Sequence, residues 1–142
     1  MNLKDQSLSK NERLRRKADF DRVFKKGKSI VDPFFVVLYV KNGLPFSRIG
    51  VSIRRKFGKA NLRNRLRRLV KEVFRTNKSA FPNGCDILFI ARKDLSDLFK
   101  KRKVGFIDMV PVVMRIAEKI GETSDEKDTA VSDRFLQKKD LT

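Results

Sequence analysis

The stretch between residues 54 and 75 is the part of this chain best suited to chemistry, because it is densely basic and contains one acid, Glu72. Its cations include a row at four-residue spacing: Arg63, Arg67, Lys71 and Arg75. Like charges at that spacing cost an isolated helix roughly a few tenths of a kcal/mol per pair, and a polyanionic ligand would offset that cost. Guanidinium groups are well matched to phosphate oxygens. The pattern predicts a phosphate-binding surface, and the alternative is a basic face that is merely solvated.

The same stretch carries an apolar stripe that predicts how the basic surface is mounted. Its members follow the spacing i, i+4, i+7, i+8, i+11 and i+12, which is one face of an α-helix. They are Leu62, Leu66, Leu69, Val70, Val73 and Phe74. We therefore predict a helix whose apolar side packs on a core and whose basic side faces outward.

Composition limits the class of protein. The chain has 142 residues and a formal net charge of +18, from 35 Lys and Arg against 17 Asp and Glu. A positive charge of this size raises the local concentration of nucleic acid around a protein. The length fits one domain, which we place at residues 1–120. Residues 121–142 form a charged tail that we expect to be disordered.

Missing residue types exclude several kinds of site. The chain has no His, and Cys85 is its only cysteine. Internal disulfides, His-dependent acid–base catalysis and His-ligated zinc are therefore excluded. The carboxylates are scattered, so we expect neither a catalytic residue nor a metal site in the protein. Cys85 begins an apolar run and is predicted to be buried.

The sequence shows no membrane span and no signal peptide. The longest apolar run, residues 34–40, is far shorter than the roughly 20 residues that a spanning helix needs. The N-terminus lacks the apolar segment of a secretory signal. These features predict a cytoplasmic protein without a membrane partner, and no obligate protein partner is evident.

Periodicity elsewhere in the chain predicts the remaining elements. Alternating and β-branched residues predict strands at 34–40, 48–53 and 85–91. Apolar spacing predicts helices at 17–26 and 104–120 on either side of the basic helix. The predicted fold class is α+β, an α/β sandwich in which helices pack on a central mixed sheet in the order α-β-β-α-β-α. The strand–helix–strand pattern around the basic helix favours parallel neighbouring strands.

Four motifs occur in an order and spacing that identify a family. They are Ala18-Asp19-Phe20 continuing to Phe24, the strand Arg48-Ile49-Gly50-Val51-Ser52-Ile53, the basic helix, and Ile90-Ala91-Arg92-Lys93. In the helix, Arg63-Asn64-Arg65 is embedded in Gly-Lys-Ala-x-x-Arg-Asn-Arg-Leu-x-Arg-Leu. Together these motifs resemble the protein subunit of bacterial ribonuclease P over roughly residues 13–120.

The resemblance implies a fold and an activity. The fold would be ribosomal protein S5 domain 2-like, with a left-handed βαβ crossover against the usual right-handed preference. The chain would be the protein subunit of a ribonucleoprotein endoribonuclease that removes the 5′ leader of precursor tRNA, and the protein alone would not be catalytic. Its implied partners are the catalytic ribonuclease P RNA and precursor tRNA, with Mg²⁺ as a cofactor bound mainly by the RNA.

The resemblance also implies roles for individual residues. It assigns RNA binding to the basic helix and its approach, at Lys56, Lys59, Arg63, Asn64, Arg65, Arg67, Arg68 and Lys71. It places Phe20, Phe24 and Ser52 along a cleft for the single-stranded leader, where stacking on an aromatic ring contributes roughly 1–3 kcal/mol per base. In relatives the first long strand can present a cleft aromatic. The corresponding residue here is Leu38, and the neighbouring Tyr39 faces the other way by strand alternation.

Other interpretations stay open at this stage. Phe20 and Phe24 can instead be core anchors of the first helix, and Asn64 either reads RNA or is an ordinary surface residue. For the whole chain, the main alternative is a general basic RNA-binding structural protein of the ribosomal or RNA-chaperone type. A self-sufficient nuclease is disfavoured by the missing His and the lack of an acidic cluster. DNA binding is disfavoured because the basic helix belongs to a sandwich.

Overall fold

The computed structural model describes residues 10–123, which form a mixed sheet with helices on both faces. Its strands are β1 (Lys28–Val31), β2 (Phe35–Lys41), β3 (Arg48–Ser52) and β4 (Cys85–Ala91). The helices are α1 (Lys17–Lys26), α2 (Ala60–Thr76), α3 (Lys93–Lys101) and α4 (Phe106–Thr123). The predicted α+β class is confirmed.

The strands lie in the spatial order β1-β2-β4-β3. Both β1 and β4 run antiparallel to β2, whereas β3 and β4 are parallel neighbours with Gly50 opposite Leu88. Parallel neighbours need a crossover connection, and α2 provides it between β3 and β4. The predicted strand–helix–strand unit around the basic helix is therefore confirmed.

Side chains of the two central strands alternate between two hydrophobic clusters. The larger cluster lies between the sheet and helices α2, α3 and α4, and in it the rings of Phe35 and Phe89 meet edge to face with centroids 5.4 Å apart. The smaller cluster lies under α1 and includes Leu38 and Leu88. β2 and β4 are therefore covered on both faces, which explains why their sequences are largely apolar.

Two elements correct the predicted order. β1 is an edge strand of 4 residues in which Ile30 alone is buried, so alternation had too little length to reveal it. α3 lies in a segment that the prediction left unassigned, although Leu95, Leu98 and Phe99 follow helical spacing between its charged residues. The order in the structure is α-β-β-β-α-β-α-α.

The closing helix also differs from its prediction at both ends. α4 begins at Phe106, two residues later than predicted, with Pro111 in its second turn, and the helix continues past residue 120 to Thr123. Residues 124–142, the greater part of the predicted tail, lie outside the described residues.

The segment before α1 lies along the outer edge of β3. Arg13 bridges to Ile49 in parallel fashion, and the backbone N–H of Leu14 donates to the carbonyl oxygen of Ile49 at 2.8 Å. The Leu14 side chain is buried in the smaller cluster. This short pairing brings the arginines around Leu14 next to the sheet.

Candidate nucleic-acid interface

Helix α2 is anchored by its apolar side. The anchoring residues are buried in the larger cluster or packed at its margin: Leu62, Leu66, Leu69, Val70, Val73 and Phe74. The basic side chains occupy the rest of the helix surface. The predicted apolar stripe and the predicted basic face are both present.

The residues predicted to bind RNA divide into two groups by exposure. The exposed ones are Lys56, Lys59, Asn64 and Arg68, and the half-buried ones are Arg63, Arg65, Arg67 and Lys71. Lys56 belongs to a 3₁₀ turn at Arg55–Phe57, and Lys59 directly precedes α2. The approach and the helix therefore form one basic surface, and its contact with RNA stays a prediction.

Hydrogen bonds within the protein orient two of these arginines. Nε of Arg63 donates to the carbonyl oxygen of Gly58 at 3.2 Å, and Nη1 of Arg67 donates to Oδ1 of Asn64 at 3.0 Å. A guanidinium group has five N–H donors, so these bonds leave others for a ligand. Side chains held in this way lose less conformational entropy on binding than free ones.

Two other arginines of α2 are engaged more fully with the protein. Arg65 lies on the other flank of the helix and donates to the carbonyl oxygen of Val104. Arg75 forms an ion pair with Glu72, with Nη2 and Oε2 2.8 Å apart, and this hydrogen bond lowers the pKa of Glu72. The lone acid of the helix thus neutralises a cation near its C-terminal end, and the uncompensated charge lies toward the N-terminal end.

Lys71 lies where α2 meets the segment before α1. Burial lowers the pKa of Lys71, and the positive charges of Arg13 and Arg67 lower it further. A bound anion would act in the opposite direction and favour the charged lysine. Cations that are held together against their mutual repulsion are well placed to receive a phosphate.

The residues predicted to line the leader cleft lie on the α1 face of the sheet. Phe20 and Phe24 are half-buried against the smaller cluster. Gly50 permits close approach of α1 to β3, since a Cβ built there would lie 3.3 Å from Cε1 of Phe20. Ser52 is half-buried two residues further along that face of β3. The structure thus brings Phe20 and Ser52 to one face, and Phe24 lies one turn further along α1.

The first long strand contributes no aromatic ring to this face. Leu38 is fully buried in the smaller cluster, and Tyr39 is 4% exposed in the larger one. The predicted alternation at these two positions is confirmed. β2 therefore supplies no ring for base stacking on this face.

A buried ion-pair network behind the cleft was not identified from the sequence. Asp86 of β4 is fully buried, accepts hydrogen bonds from Arg22 at 2.6 Å and from Asn42 at 2.9 Å, and also pairs with Arg48. Burial by itself raises the pKa of Asp86, but the hydrogen bonds outweigh it and the pKa is lowered. The available signal was one acid inside the apolar strand at 85–91, because a buried charge needs partners.

The described carboxylates offer no evident metal site. Within residues 10–123, no three His, Cys, Asp or Glu side chains are grouped so that they could hold a metal ion. The two acids beside the cleft, Asp19 and Asp86, are paired with Arg48. None of the helices in this part of the chain combines the length and the apolar character needed to span a bilayer.

Known sequences that resemble this chain are ribonuclease P proteins. A family model described as Ribonuclease P matches residues 8–107. The Ribonuclease P protein component of Thermotoga maritima is 51% identical over 96 residues, which cover 68% of this chain and 82% of that protein. The corresponding protein of Petrotoga mobilis is 47% identical over 98 residues, which cover 69% of this chain and 83% of the relative.

Solved structures that resemble this chain are also of RNase P proteins. The RNase P protein from Thermotoga maritima superposes with a TM-score of 0.70 at 46% identity, covering 77% of this chain and 97% of that one. The Staphylococcus aureus RNase P protein gives a TM-score of 0.65 at 31% identity, covering 78% and 95%. A mutant of the Staphylococcus aureus protein, described as defective in mRNA degradation activity, gives 0.67 at 33% identity, covering 86% and 98%.

Proposed function

This chain belongs to the ribonuclease P protein family, and from that premise we propose that α2 binds the catalytic RNA while the α1 face of the sheet holds the 5′ leader of precursor tRNA. As a member of the family, it is the protein subunit of a ribonucleoprotein endoribonuclease that acts in tRNA processing. It works with the ribonuclease P RNA.

The observation that carries the RNA-binding proposal is the two-sided character of α2. Leu66, Val70 and Val73 hold one side in the core, so the cations on the other side keep fixed positions relative to the sheet. Arginines fixed in this way bind phosphate with two parallel hydrogen bonds. We assign the phosphate contacts to Arg63, Arg67 and their basic neighbours on α2 and its approach.

The α1 face supports a second contact, with single-stranded RNA. Phe20 and Phe24 are partly exposed aromatic rings on α1, with Phe20 close to Gly50 of β3, and Ser52 supplies a hydroxyl on the same face of the sheet. Sequence-tolerant binding of single strands combines aromatic stacking with nearby positive charge. We therefore assign the leader to this face, with Phe20 as the principal stacking residue.

Among the described residues, the acids beside the cleft are paired with arginine, which makes them poor ligands for Mg²⁺. We assign Mg²⁺ mainly to the RNA, where it would supply the metal-assisted hydrolysis chemistry. The role left to the protein is to bind and position the two RNAs. The proposed complex contains this protein, the catalytic RNA and precursor tRNA, requires no further protein, and acts in the cytoplasm.

The test is cleavage of a precursor tRNA at low Mg²⁺ by the ribonuclease P RNA of Thermotoga maritima, with and without this protein. We expect the protein to accelerate cleavage by the RNA and to cleave nothing by itself. The Thermotoga maritima protein serves as the positive control. Failure to stimulate the RNA where that control succeeds would refute the proposed role.

A protein-alone arm separates a second possibility. One Staphylococcus aureus relative is described as a mutant with defective mRNA degradation activity. Incubating this protein alone with an unstructured mRNA tests whether such an activity occurs here, and we expect intact mRNA. Degradation of the mRNA by the protein alone would show that the chain has catalytic residues of its own. It would contradict the proposal that the protein acts only by binding RNA.

A further inference from the structure

An open pocket of about 200 Å³ lies beside the start of α1, between the segment before α1 and the loop that joins β2 to β3. The residues of its wall that matter here are Arg13, Arg15, Arg16, Asp19, Phe46 and Arg48. Small-molecule and cofactor sites usually measure roughly 300–1,000 Å³. This pocket is therefore suited to one phosphate and part of one base rather than to a cofactor.

Three arginines give the pocket its charge. Arg13, Arg15 and Arg16 are exposed, and within residues 10–123 none of them forms an ion pair. Arg48, in contrast, already forms an ion pair with Asp86 and a second one with Asp19 at 3.2 Å. The pocket thus has three cations available for an anion.

Phe46 gives the pocket an aromatic wall. Its ring is half-buried and belongs to neither hydrophobic cluster of the described residues. The loop that carries it is fixed, because Nδ2 of Asn42 donates to the carbonyl oxygen of Phe46 at 3.2 Å and to Oδ1 of Asp86 at 2.9 Å. Gly43 has a φ of 75°, which the tight turn of this loop requires. The backbone that carries the Phe46 ring is therefore fixed beside the pocket.

We propose that this pocket binds one unpaired ribonucleotide, with its base against Phe46 and its phosphate between Arg15 and Arg16. An aromatic ring beside arginines is the combination that proteins use to hold single-stranded RNA. The pocket adjoins the basic surface of α2, because Arg13 lies close enough to Lys71 for its positive charge to lower the pKa of that lysine. The proposal rests on the RNA-binding role given above. The nucleotide comes either from the precursor leader or from the catalytic RNA.

Two variants test the pocket. Phe46→Leu keeps an apolar side chain and removes the ring, and Arg15→Gln combined with Arg16→Gln removes two charges. The Arg16 side chain makes no capping hydrogen bond to α1, so the double variant leaves the helix start intact. The matched control is Lys100→Gln with Lys101→Gln, an exposed pair in the last turn of α3 that carries the same charge.

Binding is measured in two arms, both with the full chain. The first measures affinity for the Thermotoga maritima ribonuclease P RNA alone. The second measures affinity of the reconstituted holoenzyme for precursor tRNA and for mature tRNA without a leader. We expect each pocket variant to weaken binding at least about fivefold in one arm, while the control pair stays within about twofold of wild type.

The pattern of loss identifies the source of the nucleotide. Weaker binding of precursor tRNA, with mature tRNA unaffected, assigns the pocket to the leader, and weaker binding of the catalytic RNA assigns it to that RNA. The proposal is overturned if Phe46→Leu matches wild type in both arms, or if the control pair loses as much affinity as the arginine pair. Stimulation of cleavage by the wild-type protein is measured separately. A result that refutes the pocket proposal would therefore not refute the proposed function.

Discussion

Arg48 and Asp86 form a two-point ion pair across the parallel strands β3 and β4. Nε of Arg48 donates to Oδ1 of Asp86 at 2.8 Å, and Nη2 donates to Oδ2 at 2.7 Å. Arg22 of α1 shares the same carboxylate, so the pair also fastens α1 to the sheet. The hydrogen bonds that Arg48 donates to Asp86 raise the pKa of Arg48. One buried acid therefore joins α1, β3 and β4 beside the proposed leader cleft.

Asp86→Asn should destabilise the fold by about 3 kcal/mol. The substitution keeps the shape of the side chain but leaves the partly buried guanidinium groups of Arg22 and Arg48 without their shared anion. Urea unfolding followed by circular dichroism measures the loss. Asp97→Asn, at an exposed position of α3, is the control and should change stability by less than about 0.5 kcal/mol. An Asp86→Asn protein as stable as this control would show that the network contributes little.

The contribution of Asp86 should also depend on pH. The pKa of Asp86 is lowered in the folded protein, so its stabilising effect is present above the unfolded value of about 3.9 and is lost as pH falls through the folded value. The stability difference between wild type and Asp86→Asn should therefore be full at about pH 6 and smaller at about pH 3. Urea unfolding of both proteins at the two pH values measures this difference in stability. A difference that grows on acidification would contradict the assignment.

Neutralising Arg63 and Arg67 together, each to Gln, should weaken binding of the catalytic RNA and flatten its dependence on salt. Each lost phosphate contact lowers the slope of log affinity against log salt by about 0.7–0.9. Filter binding or fluorescence anisotropy over a series of salt concentrations gives the slope. Lys100→Gln with Lys101→Gln serves as the control of equal charge. A double variant with the wild-type slope would exclude phosphate contacts at these positions.

Phe20→Leu and Phe24→Leu should separate stacking residues from core residues on α1. Leucine keeps most of the apolar contact with the smaller cluster but removes the stacking ring. We expect Phe20→Leu to lower the holoenzyme's affinity for precursor tRNA by about 1 kcal/mol or more, without changing its affinity for mature tRNA. Phe24→Leu should have the smaller effect. Equal losses on precursor and mature tRNA would indicate damage to α1 rather than loss of a leader contact.

Some features could be predicted because they depend on neighbouring residues in the chain. The spacing of Leu66, Val70 and Val73 shows a helical period, and a glycine at residue 27 ends α1 where the structure ends it. Leu38 and Tyr39 are buried on opposite faces, as strand alternation requires. These patterns arise from backbone geometry, so the local sequence is enough to reveal them.

Other features could not be predicted because their signal is weak or not local. β1 is too short for alternation to distinguish it, and α3 has its apolar set within a highly charged segment. The pocket beside α1 combines Arg15 and Arg16, which precede α1 in the sequence, with Phe46, which lies in the loop between β2 and β3. No spacing rule connects these residues.

The sequence by itself determined that this is a basic, His-free α+β protein with a two-sided helix, and its motifs indicated the family to which it belongs. Only the tertiary structure decided which charges are neutralised and which remain available. Asp86 meets an arginine 38 positions away and another 64 positions away. The reason is physical: periodicity is written along the chain, whereas the pairing of distant charges depends on strand order and helix packing.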